Sequence, residues 1–350
     1  MTAVTAPAPP DASLPPLPWR RMAWVTWRQH RLTLAGVAVL LGAPSVYLLL
    51  KGLQMHDAYA SVTACVPLRS PACRQVAERF SASYAHPAVL IAGLLQLVPA
   101  LIGAFVGAPV LAREFESGTF RYAWTQGFGR ARWTIAKLVP LAVAVTAAAG
   151  AFSLLFSWFY EPVIANGGDS DTSSLAPTIF DLRGVAFAAW VLLACAIGAL
   201  AGALIRRMLP AMFATFAVWA VLAFVTGALL RPHYEAPLVT SYPDFRPAAF
   251  VINQWWTRGG KPATLSMLNQ TLRPVGIEAL TPEVFGPSPS TSPNVGDPIQ
   301  YLNHHGYKQL TSYQPASRFW RFQAIEGSWL LLLSVLLIGT TVSLVHRRAT

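Results

Sequence analysis

Apolar residues fall along the chain in six long runs, each near the roughly 20 residues that a helix needs to cross a bilayer. They lie at Leu32–Leu50, Val89–Ala112, Leu138–Tyr160, Val185–Ile205, Leu209–Leu230 and Trp329–Val345. The fourth and fifth meet at Arg206-Arg207-Met208-Leu209-Pro210, a tight basic turn in which Pro210 is placed to open a helix. Gly103 and Gly107 in the second run, and Gly198 and Gly202 in the fourth, have the GxxxG spacing that lets helices pack closely. The pattern predicts an all-α polytopic membrane protein with six transmembrane helices.

The polar segments between the runs differ in kind. Residues 1–18 are rich in Pro and Ala with one acid, Asp11, and predict a disordered leader. They are not expected to be a signal peptide, because the first apolar run starts only at Leu32. Trp19–Arg31 sets Trp24 and Trp27 among Arg20, Arg21, Arg28 and Arg31. That is the pattern of a short amphipathic helix in the headgroup layer; the alternative is a plain basic flank with interfacial aromatics. Gly52–Pro87 carries Cys65 and Cys73, eight apart and suited to a disulfide on an oxidising side, with two free thiols as the alternative. Cys195 reads as a small buried residue. Pro162–Arg183, with Asp169, Asp171 and Asp181, reads as an acidic loop without calcium-loop spacing.

The largest polar piece, residues 231–328, has a Pro- and Ser-rich interior at Thr281–Pro298. Pro247–Trp256 reads as short and amphipathic, and Arg318–Trp329 as a stretch lying along the membrane interface before a last helix at 329–345. His304-His305 lacks partner ligands at metal-site spacing and reads as part of a solvated loop; no metal site is expected.

Composition supports the membrane reading. The 350 residues are 54% hydrophobic and 12% charged, with mean hydropathy +0.45. The net charge of +11 reflects topology better than a nucleic-acid partner. With the N-terminus inside, residues 1–31, 113–137, 206–208 and 346–350 face the cytoplasm and hold 13 Lys/Arg against three acids, Asp11, Glu114 and Glu116. Opposite them stand 13 Lys/Arg, 8 of them in the long 231–328 piece, with the other 12 acids. Positive charge inside therefore predicts N-in and C-in, with 231–328 extracytoplasmic.

Chemistry within the runs is sparse. No charged side chain lies near the middle of any of them, and Gln96 is the strongest polar group. Proton- and ion-coupled carriers need intramembrane relay groups, which argues against a secondary transporter. No nucleophile–base set, HExxH or phosphate loop is present, so the chain is not expected to be an enzyme. If the chain moves something uphill, the energy is expected to come from another chain.

One polar segment remains, Ala112–Lys137, AREFESGTFRYAWTQGFGRARWTIAK. A charge at a helix centre in the bilayer costs about 2.5–3.5 kcal/mol, so Arg113, Glu114 and Glu116 take the chain out of the membrane. Gly118 suits a helix end with positive φ, and Thr119 could cap a short helix anchored by Tyr122, Trp124 and Trp133. Arg113 and Glu116 could instead form only a local surface pair.

The sequence Glu114-Phe-Glu116-Ser-Gly118-Thr119, followed by Arg130, Arg132-Trp133 and Lys137, resembles the cytoplasmic loop of ABC-2 type transporter permeases. MAWVTWRQHR, EFESGTFRYAWTQG and SRFWRFQAIEG resemble a subfamily common in high-GC Gram-positive bacteria. Thr125–Gly129 departs from the Leu-Pro often found before the family's Arg turn, and the external piece is longer than usual. The resemblance implies that residues 113–133 dock on a separate ATPase subunit that carries ATP and Mg, and this chain itself carries no cofactor. It further implies a second permease subunit, identical or homologous, in the plasma membrane. The apolar interior suits export of an amphiphilic, lipid-like or drug-like substrate. The competing expectation is a membrane sensor or scaffold with a binding ectodomain at 231–328.

Overall fold

The computed structural model describes residues 19–65, 70–118, 130–166, 173–241, 249–275 and 298–347; side chains of 19–30, 32, 275 and 298 lie outside that description. The expectations for the 1–18 leader, for Thr119, Tyr122 and Trp124, for Asp169 and Asp171 and for most of Thr281–Pro298 therefore fall outside it. Among the described residues, six helices are long and apolar enough to cross a membrane: Thr33–Thr63, Pro71–Ser117, Arg130–Ala165, Ala186–Ile205, Met208–His233 and Ala316–Arg347, spans 1 to 6. The protein is mostly helical and multi-pass, as the six runs predict.

The helices outrun the apolar runs. A single helix covers Trp19–Thr63, so no break separates the basic Trp-rich segment from span 1. Gly52–Pro87, read from sequence as an outer loop, is largely helical. Ser70 caps the helix that starts at Pro71, its hydroxyl accepting from the Cys73 N–H at 3.2 Å. A disulfide joins Cys65 to Cys73, whose Cα atoms are 5.6 Å apart. Span 2 runs for 47 residues, about 70 Å at 1.5 Å per residue, which exceeds any bilayer.

Prolines explain the irregularities of span 2. Wide π turns at Ser81–Ala85 and Gly103–Gly107 end just before Pro87 and Pro109, and the helix breaks at Gln96-Leu97 just before Pro99. A proline lacks the amide proton and crowds the carbonyl four residues back, so the ladder loosens there. The break turns Gln96 outward, and its amide donates to the Thr178 carbonyl at 2.9 Å.

Span 4 is the most buried of the six, with spans 2, 3, 5 and 6 packed around it, while span 1 lies against span 3. The contact of spans 2 and 4 is backbone against backbone. A Cβ added at Gly103 or Gly107 would lie 2.6 Å from the carbonyl oxygen of Ala194 or Cys195, and one at Gly202 2.5 Å from that of Ala108. On the opposite side, Trp190 packs edge-on between Trp219 and Trp329, with ring centroids 6.1 and 6.3 Å away.

The piece between spans 5 and 6 adds strands to the mostly helical fold. It holds a four-stranded antiparallel sheet in the order β1-β4-β2-β3, from Leu238–Ser241, Phe250–Arg258, Lys261–Ala263 and Tyr307–Gln314. Gly259 and Gly260, at φ 57° and 81°, make the two-residue turn between β2 and β3 that only left-handed backbone allows. Helices Leu265–Leu272 and Pro298–His304 help close a small core of Trp256, Leu268, Leu272, Ile299, Leu302 and Tyr307. Arg318–Trp329 corrects an expectation. Phe319 onward is one helix to Arg347, with no interfacial segment set apart. Phe319, Phe322, Gln323 and Glu326 repeat at helical spacing and are all buried, so this turn of helix faces the protein core.

Candidate functional site

The Ser117 end of span 2 is built from AREFESG. The helix Ala108–Ser117 ends at Gly118, which adopts φ 70°, ψ 4°, a left-handed residue that turns the chain away from the helix axis. Space does not require glycine here, since a Cβ would meet nothing within 4 Å; the backbone angle does.

The two acids point to different helices. Glu114 forms an ion pair with Lys137 on span 3, where the lysine side chain is only 8% exposed. The Lys137 ammonium also sits 4.4 Å from the centre of the Trp133 ring, one turn back, so an otherwise expensive buried cation has two partners. Glu116 reaches span 5, where its Oε2 accepts from the Met208 N–H at 3.0 Å. Met208 is the first residue of that helix, and the preceding Arg207 supplies no side-chain cap. Glu116 thus caps a neighbouring helix, and its charge also suits the positive end of the helix dipole, worth roughly 0.3–1 kcal/mol at an exposed site.

The turn before Met208 is equally tight. Arg206 ends span 4 at φ 58°, the one described non-glycine residue in that region, and its guanidinium lies 5.9 Å from the Phe115 ring centre. Spans 2, 3, 4 and 5 therefore converge on Glu114–Glu116. Arg113 is exposed, and among the described residues no ion pair joins it to Glu116. Arg130 and Arg132 open the span 3 helix and are half-buried. The site residues of the sequence thus gather at one end of the bundle, except Thr119, which lies outside the described residues. The sequence showed these acids as possible surface acceptors; the structure shows them joining helices.

Loss of the carboxylate is the sharpest test of this clamp. Glu114→Gln is expected to lower stability by about 1–3 kcal/mol, because among the described residues it leaves the buried Lys137 charge with only the Trp133 ring. Glu114→Gln with Lys137→Met should recover most of the loss, read as thermal unfolding in detergent. An uncoupled pair of effects would show that the ion pair does not organise the end of span 2.

A second polar centre was missed from sequence, because its members are scattered over the chain. At the other end of the bundle, Arg231, Glu326 and Asp181 form a buried ionic cluster. The Arg231 side chain is 1% exposed, Glu326 0% and Asp181 19%. Arg231 donates from Nε to Glu326 Oε2 at 3.0 Å and from Nη2 to Glu326 Oε1 at 2.8 Å, and the same Nη2 bonds Asp181. Trp190 Nε1 donates to Glu326 Oε1 at 3.0 Å, and the Tyr234 hydroxyl donates to Oε2 at 3.2 Å. Burial and the adjacent Glu326 carboxylate push the Tyr234 phenol up, keeping it a donor. Gln323, one turn earlier, accepts from the Ala186 N–H and donates to the Phe180 carbonyl. The one legible signal was the i, i+3, i+4, i+7 pattern of Phe319, Phe322, Gln323 and Glu326.

Among the described residues no group of three or more His, Cys, Asp or Glu could hold a metal ion. Between spans 2, 3, 4 and 6 lies a small apolar cavity of about 20 Å³, bordered by Gly107, Leu138, Leu141, Cys195, Ala199 and Ile338.

A family model described as ABC-2 membrane transporter related matches residues 35–231, more than half the chain. The chain belongs to this family. No curated protein and no solved structure matches it. The match covers spans 1 to 5 and both acids of the clamp, and stops at Arg231, so the sheet-bearing insertion lies outside it. Membership makes the protein a multi-pass permease of a transport system, and implies in general an ATPase partner and a dimeric arrangement.

Proposed function

We propose that this permease is the membrane subunit of an ATP-driven exporter and that a separate ATPase docks on residues 113–133, beside the Glu114–Glu116 clamp. The observation that carries the reading is that one short segment is tied to span 3 through Lys137 and to span 5 through Met208. A push on this segment is felt by three helices together, because ion pair and cap link them directly. Two permease chains would work with two ATPase chains that carry ATP and Mg, and closure of the ATPases would tilt spans 2, 3 and 5. The lack of charge deep in the spans supports an amphiphilic, lipid-like or drug-like substrate.

The test is co-purification and ATPase stimulation with the candidate ATPase, using Glu116→Gln and Gly118→Ala. Gly118→Ala adds about 1–2 kcal/mol of backbone strain at a left-handed position and redirects the chain into the docking segment. Both variants are expected to fold, and the double variant to lose at least tenfold in stimulated ATP hydrolysis. Unchanged binding together with unchanged stimulation would refute docking at this segment.

A further inference from the structure

The buried cluster at the insertion end of the bundle carries an unbalanced charge. Two carboxylates, Asp181 and Glu326, share one guanidinium, and both sit on the same nitrogen, Nη2 of Arg231. Glu326 is fully satisfied, with Arg231, Trp190 and Tyr234 all donating to it. Among the described residues, the other charged or titratable groups nearby do not correct the imbalance. Arg183, on the same segment as Asp181, lies over the Phe319 ring at 4.9 Å. Arg318 and Arg321, on the helix of Glu326, pair with Glu235. Tyr234 is a neutral donor.

Ionised, the cluster would thus hold one surplus negative charge away from water, a costly state. One proton removes it. Asp181 is the member able to exchange that proton, because 19% of its side chain is exposed while Arg231 and Glu326 are enclosed.

We infer that Asp181, Arg231 and Glu326 form a proton-held latch: with one proton on the carboxylate pair the latch is closed, and loss of that proton frees the loop that carries Asp181. The latch joins the ends of span 5 (Arg231), span 6 (Glu326) and span 4 (Trp190, through Glu326) to the segment between spans 3 and 4. The charge count along the chain puts this end outside the cell, so the proton is exchanged with the external medium.

Burial, with the repulsion of Glu326, pushes the Asp181 carboxyl up to about 7, against the pull of Arg231. In an open state, with Asp181 in water, the carboxyl returns to its ordinary range. Acid therefore favours the closed state, and the closed state weakens as pH rises through about 7.

Hydrogen–deuterium exchange of the full chain in detergent micelles, corrected for the intrinsic pH dependence of exchange, reads this directly. Protection of amides in 173–184 is expected to fall about tenfold between pH 6 and pH 8.5 in the wild type. Asp181→Asn, which keeps the shape without the charge, should hold the pH 6 value throughout. Flat protection in the wild type, protection that rises with pH, or an Asp181→Asn profile that titrates like the wild type would overturn the latch. So would failure of Asp181→Asn to fold, since removing the surplus charge is expected to stabilise the cluster. No ATPase enters the experiment, so its outcome is independent of the docking proposal.

Discussion

Gly107→Leu is expected to abolish folded protein, whereas Gly93→Ala and Gly150→Ala should leave it intact. A Cβ at Gly107 would stand 2.6 Å from the Cys195 carbonyl oxygen and 2.9 Å from its Cα, both backbone atoms that no rotamer change can move. The leucine must therefore push spans 2 and 4 apart along their whole contact. Overpacking a well-filled core costs about 1–3 kcal/mol, and more when backbone must shift. Here the same displacement also opens the contacts of Gly103 with Ala194 and of Gly202 with Ala108. Stability of only about 5–15 kcal/mol in a typical domain cannot absorb such a loss together with the separation of its central helix. A methyl group added at Gly93 or Gly150 would meet nothing within 4 Å, and alanine there improves helix propensity. Yield of monodisperse protein and melting temperature in micelles decide the matter; comparable values for Gly107→Leu and the controls would show that spans 2 and 4 do not need this close approach.

Glu326→Ala should have the next largest effect, about 3–5 kcal/mol, the range found when one partner of a buried ion pair is removed. The carboxylate receives both nitrogens of the Arg231 fork, the Trp190 indole and the Tyr234 hydroxyl, and alanine strands these donors in a space closed to water. An apolar replacement of the whole cluster could be as stable, because desolvating the charges offsets much of their attraction. Arg321→Ala is the control. Its side chain is 74% exposed although it pairs with Glu235 at 3.1 Å, so a change of about 0–1 kcal/mol is expected. Equal losses for the two variants, measured by denaturant unfolding, would mean that burial does not set the strength of these pairs.

The candidate site was half legible. The family resemblance led to residues 113–137, and Glu114, Glu116, Gly118 and Lys137 do stand together. Their partners were not legible, since Lys137 is 23 positions from Glu114 and Met208 is 92 from Glu116. A helix that begins with an exposed amide leaves no mark in sequence to say which distant carboxylate caps it. The Asp181–Arg231–Glu326 cluster was missed for a related reason. Each residue lies at the polar border of an apolar run, where a charge normally faces water, and nothing local distinguishes it from one that is enclosed.

The insertion failed to read as a sheet on other grounds. Gly259-Gly260, flanked by QWWTR and KPATL, is a two-residue hairpin signal, but β4 arrives some 50 residues after β2 and pairs with it only in three dimensions.

By itself the sequence determined the six spans, because apolar length against bilayer thickness is a local property of each run. It also determined the close glycine spacings, the left-handed end at Gly118 and the expectation of positive charge on one side. Tertiary structure alone decided which helix is central, which acids join helices, and where opposite charges meet out of water. Those choices depend on contacts between residues tens to more than a hundred positions apart, and on burial, which turns the Arg231–Glu326 pair, unlike the exposed Arg321–Glu235 pair, into a structural commitment.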